Sequence, residues 1–403
     1  MEAKRPATMA QLTPFEKRIK RHLTGRDQEF FIVTAPGLEQ LCHDELKQLP
    51  LSCTQAAVVA GGVEFTARLH DCYMANLHLR LANRIIMRVA RFKASNFQRL
   101  GKKISGIPWE LYCPRNCTLA VHVTSRQSRL YHKGAVAECV MEKIAQRLAS
   151  YAPDSGATET DANGQQIFVR IAEDLVTISL DSSGELLHKR GLKSHHAAAP
   201  LRETIAAAIL KIAGFMEDEP LIDPLCGSGT FSLEAAMLVK HIPAGWFRDF
   251  AFMSWPGFVP KRWNYMRRQS EIVFAEKNEP QIFASDSDDA ACTELQSCID
   301  RFQLNDAVQV LRRDFFKFEP AQFTSRTGLV VLNPPYGMRI GEREETAALF
   351  TAVCRKLKQS YRGWNIALLV PEASFLDRIA FRGLTRHQLF HGGLEVLLLT
   401  GKI

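Results

Sequence analysis

What the sequence lacks narrows it first. No apolar run reaches the ~18 residues that a membrane-spanning helix needs, so an integral membrane protein is not expected. No apolar stretch follows the basic residues near Met1, so a secretory leader is not expected and the cytoplasm is the expected compartment. The 10 cysteines are scattered. The closest pair, Cys113 and Cys117, has no second pair at zinc spacing, so reduced and mostly buried thiols are expected rather than a metal site. His195 and His196 are adjacent, neighbouring side chains rarely point the same way, and no carboxylate–histidine frame surrounds them in the sequence, so no metal is expected there either. The third glycine of a nicotinamide fingerprint is missing, because Gly227-Ser228-Gly229 runs on into Thr230, Phe231 and Ser232. That argues against a nicotinamide-dependent oxidoreductase.

Acidic charge is scarce at one end only. Residues 1–150 hold 23 Lys and Arg against 12 Asp and Glu, while the remainder holds 28 against 31. A polyanion-binding front end joined to a near-neutral second part fits this split, with solvated helix faces as the plain alternative.

Two stretches carry the chemistry. The first, Leu221-Ile222-Asp223-Pro224-Leu225-Cys226-Gly227-Ser228-Gly229-Thr230, reads as a buried strand, a glycine turn and a helix start. Gly227 and Gly229 allow a tight turn and a close approach of the backbone to a ligand, and the N–H groups of such a turn face the crevice at the end of a sheet. The second, Asn333-Pro334-Pro335-Tyr336, follows another apolar strand, Gly328 to Leu332. Two prolines stop that strand and stiffen the loop. The Asn333 carboxamide and the Pro334 carbonyl can then accept both N–H groups of an exocyclic nucleobase amine, and Tyr336 can stack on the base. Holding both N–H groups pyramidalises the nitrogen and aims its lone pair, so positioning and electrostatics supply the catalysis. Cys226 has no visible base partner and is not read as a nucleophile.

The first stretch resembles the leading motif of S-adenosylmethionine-dependent methyltransferases, and the second resembles their amino-methyltransferase motif. With Ala35-Pro36-Gly37-Leu38-Glu39, Gly61-Gly62-Val63-Glu64-Phe65, Leu187-His188-Lys189-Arg190-Gly191, Ala199-Pro200-Leu201-Arg202-Glu203-Thr204 and Ser285-Asp286-Ser287-Asp288, the chain resembles the bacterial THUMP-domain RNA guanine-N2 methyltransferases. The 23S rRNA enzyme that makes N2-methylguanosine is the type. The resemblance implies S-adenosylmethionine as cofactor and RNA as partner. It also implies an α/β architecture: a ferredoxin-like/THUMP α+β region followed by a class I, Rossmann-like methyltransferase domain. Catalysis would rest on Asn333, Pro334, Pro335 and Tyr336. The cofactor would lie against Asp223, Cys226, Gly227, Gly229, Thr230, Asp286, Asp314, Phe315, Pro200, Leu201 and Thr204. In that set Asp286 takes the ribose hydroxyls, Asp288 caps the next helix, and Asp314 takes the adenine amine with Phe315 or Phe316 on the ring.

Along the chain, residues 1–28 place Lys17, Arg18, Lys20 and Arg21 around Phe15 and Ile19 without clear apolar periodicity, predicting a basic arm or a short surface helix. Residues 29–66 read as the small ferredoxin-like unit and 67–182 as the RNA-binding THUMP module. Residues 183–200 form a basic joint that lies near RNA or packs between domains. The expected phosphate contacts are Lys102, Lys103, Arg126, Arg129, Lys133, Lys189 and Arg190. From 201 to 403 helices alternate with apolar strands at 220–223, 281–285, 308–311, 328–332, 365–370 and 394–400, as in a sheet covered on both faces. An aromatic insertion from 243 to 278 interrupts the alternation. It separates Asp286 from Asp223 by 63 residues and predicts a locally packed cluster rather than a lid. One methyltransferase unit implies one methylation, and a monomer is expected. Guanine N2 in 23S rRNA is the leading expectation. Guanine N2 in tRNA, adenine N6, and a non-catalytic RNA-binding assembly factor are the alternatives.

Overall fold

The computed structural model describes residues 12–114, 116–151, 164–193, 201–334, 342–370, 381 and 383–403. The amino-terminal half is built on a seven-stranded sheet in the order β2-β3-β1-β4-β7-β6-β5. Its strands are β1 (Gln28–Thr34), β2 (Gln55–Val59), β3 (Gly62–Ala67), β4 (Ala82–Lys93), β5 (Leu119–Arg126), β6 (Gln165–Ala172) and β7 (Leu175–Asp181). Helices α2 (Glu39–Gln48), α3 (Leu69–His78), α4 (Phe97–Ser105) and α5 (Lys133–Ser150) accompany them. Strand β4 alternates buried Ile85 and Met87 with basic Arg84 and Arg88. Its first half pairs with β1 and its second half with β7. The sheet therefore runs unbroken across residue 66. Strands β5 and β6 are parallel and joined through α5, because a parallel pair needs a crossover too long for a hairpin.

Residues 12–28 are docked. Helix α1 (Pro14–Ile19) starts with a capping box between Thr13 and Glu16. Ile19 and Leu23, four residues apart, are buried in the core. Arg18 ion-pairs with Glu110 at 2.6 Å and donates to the Tyr151 hydroxyl at 2.6 Å. The expected short helix is present, and it is pinned at both its apolar and its basic side.

The carboxy-terminal half is a second seven-stranded sheet in the order β10-β9-β8-β11-β12-β14-β13. Its strands are β8 (Leu221–Asp223), β9 (Ile282–Asp286), β10 (Val308–Arg312), β11 (Leu329–Leu332), β12 (Asn365–Val370), β13 (Thr385–His391) and β14 (Leu394–Lys402). Helices α6 (Glu203–Ile212), α7 (Thr230–Val239), α8 (Pro260–Glu271), α9 (Asp289–Arg301) and α10 (Glu342–Ser360) connect and cover them. The first five strands of that order are parallel, and β14 enters antiparallel between β12 and β13. This is the class I methyltransferase arrangement. The strand order reverses between β8 and β11, and there the loops leaving neighbouring strands diverge and open a crevice. Strand β13 was not expected. It is polar on most positions, as an edge strand is, and the Gly392-Gly393 turn with φ of 61° and 87° was the available hairpin signal.

One buried apolar cluster runs from Ile19 and Phe30 through Phe252 and Trp255 to Leu398, so the two halves share a core. The 243–278 insertion makes this joint. Phe252 stacks on Tyr73 at 4.3 Å, and Trp255 Nε1 donates to Gln165 Oε1 at 2.6 Å. Arg248 donates to the carbonyls of Ser183, Glu185, Leu186 and Lys189, which clamps the segment between the halves. The aromatic cluster is thus packed, as expected, and its packing partner is the amino-terminal half.

Candidate active site

The site forms where β8, β9 and β11 end side by side. Strand β8 is wholly buried and delivers Asp223, 1% exposed, to the crevice. Asp223 Oδ2 accepts from the Ser232 hydroxyl at 2.8 Å. Its Oδ1 is buried without a partner. Burial pushes this carboxyl up to about 7, against the Ser232 bonds that lower it. The turn that follows is closed by Gly229 N–H donating to Cys226 carbonyl at 2.7 Å. Gly227 and Gly229 have φ of 49° and 71°, the left-handed region where a side chain is strained. A Cβ at Gly229 would lie 2.3 Å from Leu295 Cδ1, so α7 and α9 approach closely there. A Cβ at Gly227 would meet nothing within 4 Å. Gly227 thus borders open space, the cradle a ligand would fill. Gly227→Ala is expected to cost about 1 kcal/mol of stability while lowering cofactor affinity at least tenfold, measured by chemical unfolding and calorimetric titration.

Asp286 ends β9. Its Oδ2 accepts from Gly227 N–H at 2.9 Å and its Oδ1 from Asp288 N–H at 3.0 Å. It ties the second strand end to the glycine turn and keeps lone pairs for two hydroxyl donors. Asp288 caps α9 by accepting from Ala290 N–H at 2.9 Å, as expected. Cys226 is buried, and burial raises its thiol well above the ordinary range, so it carries no nucleophile. Ser285 Oγ and Asn333 Oδ1 are, like Asp223 Oδ1, buried polar atoms without partners. Three orphaned acceptors and donors at three adjacent strand ends are rare in folded proteins and mark a site made for a polar ligand.

Asp314 follows β10 and accepts from Phe316 N–H at 2.9 Å. Phe315 is 2% exposed and packs inward beside Tyr361, whereas Phe316 is 42% exposed. Phe315 is therefore corrected to a core residue, and Phe316 is the ring free to cover an adenine. Thr204 Oγ1 donates to Asn83 Oδ1 at 3.3 Å, which helps join the halves, and Leu201 is buried. Thr230 starts α7, and its hydroxyl accepts from Lys193 at 2.6 Å. Lys193 was not singled out from sequence, since nothing in a basic joint distinguishes one lysine that reaches the glycine turn. Asn333 and Pro334 sit at the end of β11. Pro335, Tyr336, Pro200, His195 and His196 lie outside the described residues.

Among the expected RNA contacts, Lys102, Lys103, Arg126, Arg129 and Lys133 are exposed, and Lys189 is half-buried and paired with Glu185 at 2.7 Å. Tyr131, 66% exposed beside His132, adds an aromatic surface to that basic loop. Arg190 does not belong with them. It is 2% exposed, pairs with Glu234 at 2.8 Å, and donates to the carbonyls of Leu187 and Arg80. Four of its five N–H donors are spent on these internal partners, so it is a structural cation. Among the described residues no group of three side chains could hold a metal, and no helix is long and apolar enough to cross a membrane.

Comparison with known proteins agrees with this fold. Residues 190–400 match the RMKL-like methyltransferase domain, and residues 29–86 match the RlmL ferredoxin-like domain. A Synechocystis sp. protein named "Putative RNA methyltransferase slr0064" is 31% identical over 371 residues, covering 92% of this chain and 95% of its own. The "Ribosomal RNA large subunit methyltransferase K/L" of Methylococcus capsulatus is 33% identical over 380 residues, covering 92% of this chain and 50% of its own. The chain thus spans about half the length of that relative. The crystal structure of SMU.472, described as a putative methyltransferase complexed with SAH, superposes with a TM-score of 0.82 at 26% identity, over 94% of this chain and 98% of that one. The chain belongs to the RMKL-like methyltransferase family, with a ferredoxin-like domain at its amino-terminal end, and its cofactor is S-adenosylmethionine.

Proposed function

We propose that this protein methylates the exocyclic N2 amine of a guanine in RNA, with 23S rRNA as the substrate, working as a cytoplasmic monomer. The observation that carries the reading is Asn333 Oδ1, a buried acceptor without a partner at the end of β11. It leaves the sheet at the same end as Asp223, because β8 and β11 are parallel neighbours. A buried acceptor left unpaired costs stability, and an amine N–H offered by a flipped base satisfies it. S-adenosylmethionine, when bound, supplies an electrophilic methyl group on a sulfonium. Asn333 and the Pro334 carbonyl hold the amine N–H groups and aim the lone pair. Tyr336 stacks on the base, and Pro335 fixes the loop. Asp286 holds the ribose hydroxyls, Asp314 and Phe316 hold the adenine, and Asp223 orients the methionine end. The amine proton leaves after transfer, so no strong base is required.

The basic amino-terminal surface supports RNA as partner, with 67–182 as its THUMP module and Lys102, Lys103, Arg126, Arg129 and Lys133 on phosphates. The name of the Methylococcus capsulatus relative, of which the chain spans about half, supports rRNA, and that of the Synechocystis relative supports RNA. The test is transfer of labelled methyl to undermethylated total RNA, fractionated by size. Label in 23S rRNA is expected. Label confined to tRNA would replace the substrate, and label in neither would contradict the reading.

Asp223 gives the cofactor site a pH dependence. Its carboxyl is raised to about 7 by burial, so below that pH it is neutral and pairs poorly with an ammonium group. In the empty protein the raised carboxyl costs folding stability that grows as pH rises from about 4 to about 7 and is constant above that, and a bound ammonium offsets it. S-adenosylhomocysteine affinity should therefore fall by up to about tenfold per unit below pH 7. The Asp223→Asn variant should show a flat profile, measured by calorimetric titration from pH 5.5 to 8.5.

A further inference from the structure

Lys193 occupies an unusual place. Its ammonium donates to Thr230 Oγ1 at 2.6 Å and to Ser228 Oγ at 3.1 Å, with Glu203 Oε1 at 3.5 Å. The side chain is 12% exposed. These contacts put a cation at the first turn of α7, the end where exposed N–H groups favour anions rather than cations. A largely desolvated ammonium set against that end of the dipole is stabilised by an anion that both can share. Ser228 and Thr230 take two of its N–H bonds. Glu203 pairs with the ammonium only loosely, at 3.5 Å, and among the described residues no other group takes the third N–H, which a ligand can accept.

A second observation points to the same ligand from the opposite sign. Asp223 is 1% exposed, its Oδ1 has no partner, and it lies within electrostatic reach of Lys193. An anion subsite beside a buried carboxylate is complementary to a zwitterionic α-amino acid group, the group that the methionine end of the cofactor carries. We propose that Lys193 is a cofactor-positioning residue whose ammonium, seated on Ser228 and Thr230, pairs with the α-carboxylate of S-adenosylmethionine, while Asp223 takes the α-ammonium. The joint between the two halves thereby reads the amino-acid end of the cofactor, and discrimination against adenosine compounds lacking it originates there.

This inference rests on the cofactor assignment and not on the choice of RNA or base, so the two fail separately. The test is calorimetric binding of three ligands to the full chain. S-adenosylhomocysteine carries the whole amino acid. S-adenosyl-3-thiopropylamine keeps the amine and lacks the carboxylate. 5′-Methylthioadenosine lacks the amino acid altogether. In the unaltered protein, removing the carboxylate should weaken binding about 10- to 100-fold, the range for a charge-assisted pair. Lys193→Met should lose a similar factor for S-adenosylhomocysteine and bind the other two as the unaltered protein does, and Lys193→Arg should recover most of the loss. Equal losses for all three ligands would overturn the proposal and make Lys193 a brace for the glycine turn. No carboxylate dependence in the unaltered protein would overturn it whether or not the Met variant folds.

Discussion

Asn333→Ala is expected to lower kcat by about 10²- to 10³-fold or more and to leave S-adenosylhomocysteine affinity within about threefold. The expectation follows from placement. Asn333 follows β11, outside the glycine turn and the carboxylates Asp223 and Asp286 to which the proposal assigns the cofactor. Its buried Oδ1 has no partner in the protein, so removing it disturbs no internal bond. The variant should fold as well as the parent, or slightly better, because an unsatisfied buried acceptor disappears. What is lost is the hold on the amine, an interaction that tightens as nitrogen pyramidalises on the way to the transition state. The loss should therefore appear in kcat with little change in KM for the cofactor. Single-turnover transfer and calorimetric titration separate the two. A fall in cofactor affinity equal to the fall in rate would move Asn333 into the cofactor site.

Arg190→Ala should destabilise the fold by about 3–5 kcal/mol, the usual cost of stripping one partner from a buried ion pair. Arg190 and Glu234 are both about 1% exposed at their side chains, with Nε to Oε1 at 2.8 Å. Arg80 approaches the same carboxylate at 3.5 Å and is itself bonded to the carbonyls of Met237 and Ile242. The triad links the amino-terminal half, the joint and α7. Its loss leaves a buried carboxylate with one distant cation and uncaps the Leu187 and Arg80 carbonyls. By contrast, Lys102→Ala and Lys103→Ala, at exposed positions near the end of α4, should change stability by less than about 0.5 kcal/mol. Those two should weaken RNA binding and flatten its salt dependence. Urea unfolding of the three variants checks both halves of the contrast. A stability change near zero for Arg190→Ala, with weaker RNA binding, would return it to the surface.

The glycine turn was legible in the sequence because it is local. A buried strand, a turn that needs two left-handed residues and a helix lie within ten positions of Leu221, and the structure has Gly227 and Gly229 at positive φ. The double-sided parallel sheet was legible in its apolar strands, and Asp288 in its cap spacing. What escaped depends on distant contacts. Arg190 sits among His188 and Lys189 and looks like a surface cation. Only the arrival of Glu234, 44 residues on, makes it internal. Phe315 and Phe316 are alike in sequence, and the side each faces is set by Tyr361. Lys193 becomes notable only when folding brings it to Thr230. Ile19 and Leu23 were a helical pair in plain view, but two apolar residues among basic ones give too little periodicity to separate docking from a loose arm. Strand β13 is an edge strand with few buried positions, so its alternation is weak.

The central claim, methyl transfer to guanine N2 through Asn333, is tested most directly by nucleoside mass spectrometry of RNA methylated by the purified protein, with Asn333→Ala in parallel. The account predicts N2-methylguanosine as the new nucleoside with the parent and essentially none with the variant. N6-methyladenosine, or N2-methylguanosine formed equally well by Asn333→Ala, would contradict it.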